Sequence, residues 1–104
     1  MAKFVLLYSG GSMSETEAEQ AAVMQAWTSW YNTIGEAVVD GGNPFTPVAK
    51  QITSDGTVSD GAPAASGYTI IAADSLDAAV NMAKGCPILQ GGGQISVYET
   101  FDVM

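Results

Sequence analysis

The chain has 104 residues, 47% of them hydrophobic, with 11 acidic residues against three lysines and a net charge of −8. That length fits one domain around a single modest core, and so acidic a chain lacks the cations needed to bind DNA, RNA or an anionic membrane surface. It contains neither histidine nor arginine, which excludes Ser-His-Asp and Cys-His catalysis, histidine-ligated metals and the bidentate arginine clamp for phosphate or carboxylate.

Residues 3 to 8, K-F-V-L-L-Y, are continuously apolar after the lysine and read as a central strand covered on both faces. This run is too short for a signal peptide, and nowhere does the chain approach the ~20 apolar residues of a membrane span. With a single cysteine, Cys86, there is no internal disulfide framework, and the expected location is the cytoplasm. Ser9-Gly10-Gly11-Ser12 breaks the strand. Ser14 and Glu17 make an S-x-x-E capping box, which starts a helix at Ser14. Met24, Trp27, Tyr31 and Ile34 form its inner stripe, widened by Val23 and Trp30, and Gly35 ends it.

Ala37 to Val39 and Val48 to Thr53 read as a second, interrupted strand, separated by the excursion D-G-G-N-P-F-T-P in which prolines cannot supply ladder donors. Ser54-Asp55-Gly56-Thr57 is a hairpin-type turn, and a second Asp-Gly at 60 and 61 opens a loop that runs to Gly67. Tyr68 to Ala73 is another strongly apolar strand. Ser75 or Asp74 caps a second helix whose inner positions are Leu76, Ala79, Val80 and Ala83, with Gly85 as its end. The last strand runs from about Gln94 to Val103. The order β-α-β-(β)-β-α-β predicts an α+β, ferredoxin-like domain over residues 1–104, an antiparallel sheet with two helices on one face.

The motifs in that order resemble the YCII-related (DGPF-domain) family of small bacterial proteins. The resemblance rests on L-L-Y at the end of the first strand, W-x-x-W-Y-x-x-x-G over Trp27 to Gly35, D-G-G-N-P-F, and D-G-T-V-S-D-G. G-Y-T-I-I-A-A-D-S-L-D-A-A at 67 to 79, A-K-G-C-P, and G-G-x-I-x-V-Y-E-T complete it. It implies a homodimer in which two ferredoxin-like sheets pack face to face as a dimeric α+β barrel. That architecture also hosts cofactor-independent monooxygenases, muconolactone isomerases and dehalogenating enzymes. Some members carry a His and an Asp proposed to be catalytic. Here there is no His, Cys-Pro stands near their Asp-Pro-Phe, and Asp60-Gly61-Ala62-Pro63 replaces D-G-P-F, so that pair does not carry over.

Cys86 follows the C-terminal end of a helix, where the dipole disfavours a thiolate, so it reads as a buried joint between helix and strand. Gly91-Gly92-Gly93 precedes a strand and not a helix, so it lacks the N-terminal amides of a phosphate loop. Trp27, Trp30 and Tyr31 on one helix are either core or the aromatic wall of a ligand cavity against the sheet, and Tyr8 and Tyr68 join them as candidate ligand-binding residues. Glu99 falls on the apolar face of the last strand at period two. A carboxylate there sits at a solvated rim, pairs at a dimer seam, or faces a ligand as acid or base. Asp40, the acid nearest the second strand, and Tyr8, at the end of the first, are the other candidate acid/base groups. No cofactor and no metal are expected. Two functions stay open: a homodimer holding a small organic ligand between the first helix and the sheet, with any catalysis cofactor-free, or a non-catalytic dimerisation module with no pocket.

Overall fold

A computed structural model describes residues 1–10, 16–62 and 64–103. Strand β1 (Ala2–Ser9) leads to helix α1 (Glu17–Ile34), and a 3-10 turn at Gly35–Ala37 feeds β2 (Val38–Asp40). Strands β3 (Lys50–Ile52) and β4 (Val58–Asp60) follow, then β5 (Gly67–Ala73), helix α2 (Leu76–Ala83), a 3-10 turn at Pro87–Gly91 and β6 (Gln94–Glu99). The main sheet has the order β2-β5-β1-β6 with antiparallel neighbours throughout, the ferredoxin-like arrangement expected from the motif order. It is open and does not close into a barrel within one chain.

Alternation along the two central strands decides which face carries the helices. Phe4, Leu6 and Tyr8 of β1 and Gly67, Thr69, Ile71 and Ala73 of β5 are buried. They pack against Trp30 of α1 and Ala79 and Ala83 of α2, with Cys86 beside them. Val5, Leu7, Ile70 and Ala72 point to the opposite, open face, where they are half-buried by one another alone. Both helices start on hydroxyl caps: Thr16 accepts the Glu19 N–H and Ser75 accepts the Ala78 N–H, each at 3.1 Å. Glu17 and Glu19 in one first turn and Asp77 in the other complement the dipoles. The expected start at Ser14 lies outside the described residues.

Three boundaries differ from expectation. The second strand is not one interrupted element: only Val38–Asp40 joins the main sheet, whereas Lys50–Ile52 pairs with Val58–Asp60 as a separate two-stranded ribbon. Gly41, Gly42 and two prolines turn the chain out of the sheet, and the Asp55-Gly56 turn then closes the ribbon locally through Gly56 N–H to Thr53 O. The last strand stops at Glu99, where both the N–H and the hydroxyl of Thr100 turn onto the Lys3 carbonyl at 2.9 Å and end the ladder, leaving Phe101 and Val103 exposed. In the helices, Val23, Met24 and Leu76 are exposed and lie outside the buried stripe, with Met24 at the border of the cavity described below.

Gly42 fixes where the chain leaves the sheet. It has φ +71°, and a Cβ there would stand 1.7 Å from the Tyr68 carbonyl oxygen. Gly42→Ala therefore loses about 3 kcal/mol or more in urea unfolding followed by circular dichroism, combining a left-handed residue with a backbone clash. Gly56→Ala, at φ +87° in open space, loses only about 1 kcal/mol.

Candidate functional site: an aromatic pocket between helix 1 and the sheet

A cavity of about 430 Å³ opens where the second half of α1 crosses the Tyr8 end of β1 and the start of β5. Its walls are Trp27 and Tyr31 from α1, Tyr8 from β1, Tyr68 from β5, and the backbone of Gly41 to Pro44. The rings are mutually braced. Trp27 meets Tyr8 edge-on at a centroid distance of 5.6 Å and lies 5.9 Å from Tyr31. Phe45 stacks on Tyr68 at 5.9 Å, holding the outer wall.

Hydroxyl groups tie this wall together. Tyr8 donates to Thr69 Oγ1 at 2.6 Å, and Thr69 donates to the Gly41 carbonyl at 3.2 Å. Tyr31 donates to the same carbonyl at 2.9 Å. The protons thus converge on one backbone oxygen, and the tyrosine oxygens keep lone pairs for an occupant. Ser66, also in the wall, has an Oγ shielded from solvent and without a hydrogen-bond partner among the described residues. Such a group is a rare feature in a folded chain.

Electrostatically the pocket is quiet. Among the described residues lining it none is charged. Burial pushes the Tyr8 phenol well above its ordinary value of 10.0, opposed by the Thr69 hydrogen bond. Burial likewise raises the Cys86 thiol, against the Ile88 backbone N–H and the Tyr8 hydroxyl that favour its ionised form. Among the described residues no group of three or more His, Cys, Asp or Glu side chains could hold a metal ion.

The structure brings together Tyr8, Trp27, Tyr31 and Tyr68. Trp30 stands behind them in the core, donating its indole N–H to the Met82 carbonyl at 2.9 Å. Asp40 lies just outside, where its carboxylate accepts the Gly42 N–H at 2.8 Å and a long contact from the Tyr68 hydroxyl at 3.4 Å. Glu99 is apart from the cavity. It pairs with Phe4, four residues along β1 from Tyr8 and so about 13 Å away along the strand, and it is exposed at the sheet's far end. Cys86 is buried at the joint between α2 and β6, and the glycine run closes that joint with Gly93 N–H bonded to Ile88 O at 3.0 Å. Sequence reasoning missed Thr69 and the Gly41 carbonyl. Thr69 was legible as a lone polar residue within Y-T-I-I-A-A; the carbonyl was not, because it depends on how the chain leaves β2.

No protein-family model matches the chain, and no curated protein matches it by sequence. Among solved structures it is similar to 5-chloro-2-hydroxyhydroquinone dehydrochlorinase from Burkholderia phenoliruptrix AC1100, in complex with 2,5-dihydroxybenzoquinone. The TM-score is 0.54 and the sequence identity 18%, over 95% of this chain and 93% of that one. The likeness establishes a shared α+β fold. No helix among the described residues is long and apolar enough to cross a membrane.

Two outcomes follow from the buried phenol and thiol. A phenol with a raised folded pKa contributes stability fully present below the unfolded value of about 10, and that stability is lost as pH climbs above it. Unfolding free energy should therefore fall more steeply above pH ~10 in the wild type than in Tyr8→Phe, with the tyrosinate absorbance of Tyr8 appearing only on unfolding. Cys86 should react with a thiol reagent at neutral pH at least about 100-fold more slowly in the native protein than in denaturant.

Proposed function

We propose that this chain is a YCII-like homodimeric protein of the bacterial cytoplasm that binds a small, flat, uncharged organic molecule in the pocket of Tyr8, Trp27, Tyr31 and Tyr68. The observation that carries this reading is an aromatic cavity of about 430 Å³ whose described lining holds no charged side chain. Its volume suits a molecule of one or two rings. Aromatic faces favour a planar ligand, and the absence of a cation from the lining of a protein with net charge −8 disfavours a carboxylate or phosphate. The lone pairs left on the Tyr31 and Tyr8 oxygens favour a ligand that donates, through a ring hydroxyl or an N–H. The 2,5-dihydroxybenzoquinone bound by the fold's solved neighbour is a molecule of this size and shape.

Binding without proton transfer is the better-supported role. The hydroxyl chain from Tyr8 through Thr69 ends on the Gly41 carbonyl, which cannot take up a proton, and Tyr8 itself is driven away from the range a general base needs. Asp40 then serves the site by holding the Gly42 turn.

Dimerisation is supported by the open face of the sheet. Val5, Leu7, Ile70, Ala72 and Tyr98 share it, and its described positions on β1, β5 and β6 carry no carboxylate in a chain with 11 acidic residues. A face that is largely apolar along its central strands, with its carboxylate Asp40 confined to the β2 edge, suits a second copy that bears the same net negative charge.

Titration calorimetry with hydroquinone, a flat single ring that is neutral at pH 7 and donates through its hydroxyls, tests the pocket. Saturable binding is expected, weakened about three- to tenfold in Tyr31→Phe by loss of one accepting oxygen, and abolished in Thr28→Trp, which fills the cavity. Absence of saturable heat up to millimolar concentration, with unchanged amide shifts at Gly41, Gly42 and Tyr68, would sink the reading.

A further inference from the structure

The ribbon β3–β4 has no layer beneath it. All six of its residues are exposed. Its register pairs Lys50 with Asp60 and Ile52 with Val58, so these four side chains share one face, while Gln51 and Ser59 take the other. One face is therefore apolar toward the tip, with Ile52 70% and Val58 55% exposed and Val48, at 82%, just before the strand. The tip is well built in itself. Thr53 N–H bonds to Thr57 O at 2.9 Å, and Asp55 accepts the Thr53 hydroxyl and the Thr57 N–H, which lowers its carboxyl to about 2.

A two-stranded ribbon standing alone in water is marginal, and needs a further strand or an apolar surface to pack on. The ribbon also accounts for the molecule's reach. The radius of gyration is 15.3 Å, against about 13 Å for a compact chain of this length, and the body is a plate 45 × 38 × 18 Å.

We propose that the β3–β4 ribbon is an arm that packs the Ile52–Val58 face onto a second copy of this chain, extending the dimer contact beyond the sheet. The inference rests on the homodimer reading above. Two observations select a second copy as the occupant. The dimer contact proposed above brings a second copy's sheet within reach of the arm, and that sheet is largely apolar along β1 and β5, with Lys3 as a cation and Asp40 as a carboxylate at its edges. The arm's acids, Asp55 and Asp60, are engaged within the ribbon by Thr53, Thr57 and Lys50 and so do not confront the partner's charge unpaired. The sheet face is also small for a lasting contact. Four strands span only ~19 Å, whereas a stable interface needs about 800 Å² from each partner, and the arms supply additional area.

The arm's root is the pocket's outer wall. Pro44 bridges to Gly67, Phe45 N–H bonds to Ser66 O at 2.8 Å, and the Phe45 ring lies on Tyr68. An arm anchored on a second copy therefore holds that wall in place.

Sedimentation equilibrium of the full chain tests this with three proteins. The double variant Ile52→Asp/Val58→Asp should raise the dimer dissociation constant about tenfold or more, while Gln51→Glu on the opposite face changes it less than about twofold. In a dimer mixed from methyl-labelled and unlabelled chains, Ile52 and Val58 methyls should show contacts to unlabelled protons. A wild type that dimerises while the double variant dimerises equally well overturns the arm and leaves the homodimer standing. A wild type that stays monomeric at millimolar concentration overturns both. Because the substituted residues are exposed in the single chain, an unchanged far-ultraviolet spectrum in the double variant separates lost association from lost folding.

Discussion

The carbonyl oxygen of Gly41 accepts two side-chain hydroxyls at once, from Tyr31 on α1 and from Thr69 in β5. Through Thr69 it also gathers Tyr8 from β1, so one backbone atom ties the helix and two strands together. Such a convergence is possible only because the next residue is a glycine pressed against the Tyr68 carbonyl, where any side chain would overlap backbone. Buried hydroxyls have to find acceptors, and here the requirement positions the wall of the cavity. The pocket is thus a by-product of how the chain leaves β2.

Much of this was legible in the sequence, and the parts that were not share a cause. The central strands announced themselves by composition and alternation, because a strand buried on one face and half-buried on the other needs apolar residues at nearly every position. The second helix was legible from Ser75 and its small inner residues Ala79 and Ala83. Trp27 and Tyr31 were legible as one wall by helical spacing, and Tyr8 as the end of the first strand. The arm was not, since Val48 to Thr53 has the composition of a sheet strand and only the exit geometry at Gly41 and Gly42 sends it elsewhere. Glu99 shows the limit of periodicity. It does share a face with Ile95 and Val97, yet it stands where the sheet ends, so the same alternation that marks a buried residue marks a rim residue there.

The missing residue types constrain the chemistry as strongly as those present. Without histidine or arginine, polar contacts in the cavity come from tyrosines, hydroxyls and backbone. Hydroxyls buried beside aromatic rings keep their protons because ionising them would strand a charge in a low dielectric. A site built this way discriminates by shape and by the direction of hydrogen bonds. An anion placed there would meet no compensating charge among the described lining residues, in a chain that is acidic overall.

The arm and the pocket meet in a short stretch of chain, Gly41 to Phe45 on one side and Ser66 to Tyr68 on the other. Any free energy gained when the arm docks is gained with this stretch in one arrangement, and any ligand that contacts the wall selects among arrangements of the same stretch. Coupling of this kind is reciprocal: a ligand that favours the docked arrangement tightens the dimer by the factor by which the dimer tightens the ligand. A rigid wall, held by the Gly41 carbonyl and the Phe45–Tyr68 stack, would keep that factor near one, whereas a wall ordered only by the partner would make it large. The shielded Ser66 hydroxyl, unpartnered among the described residues, lies at the one point where the wall's hydrogen bonding is incomplete.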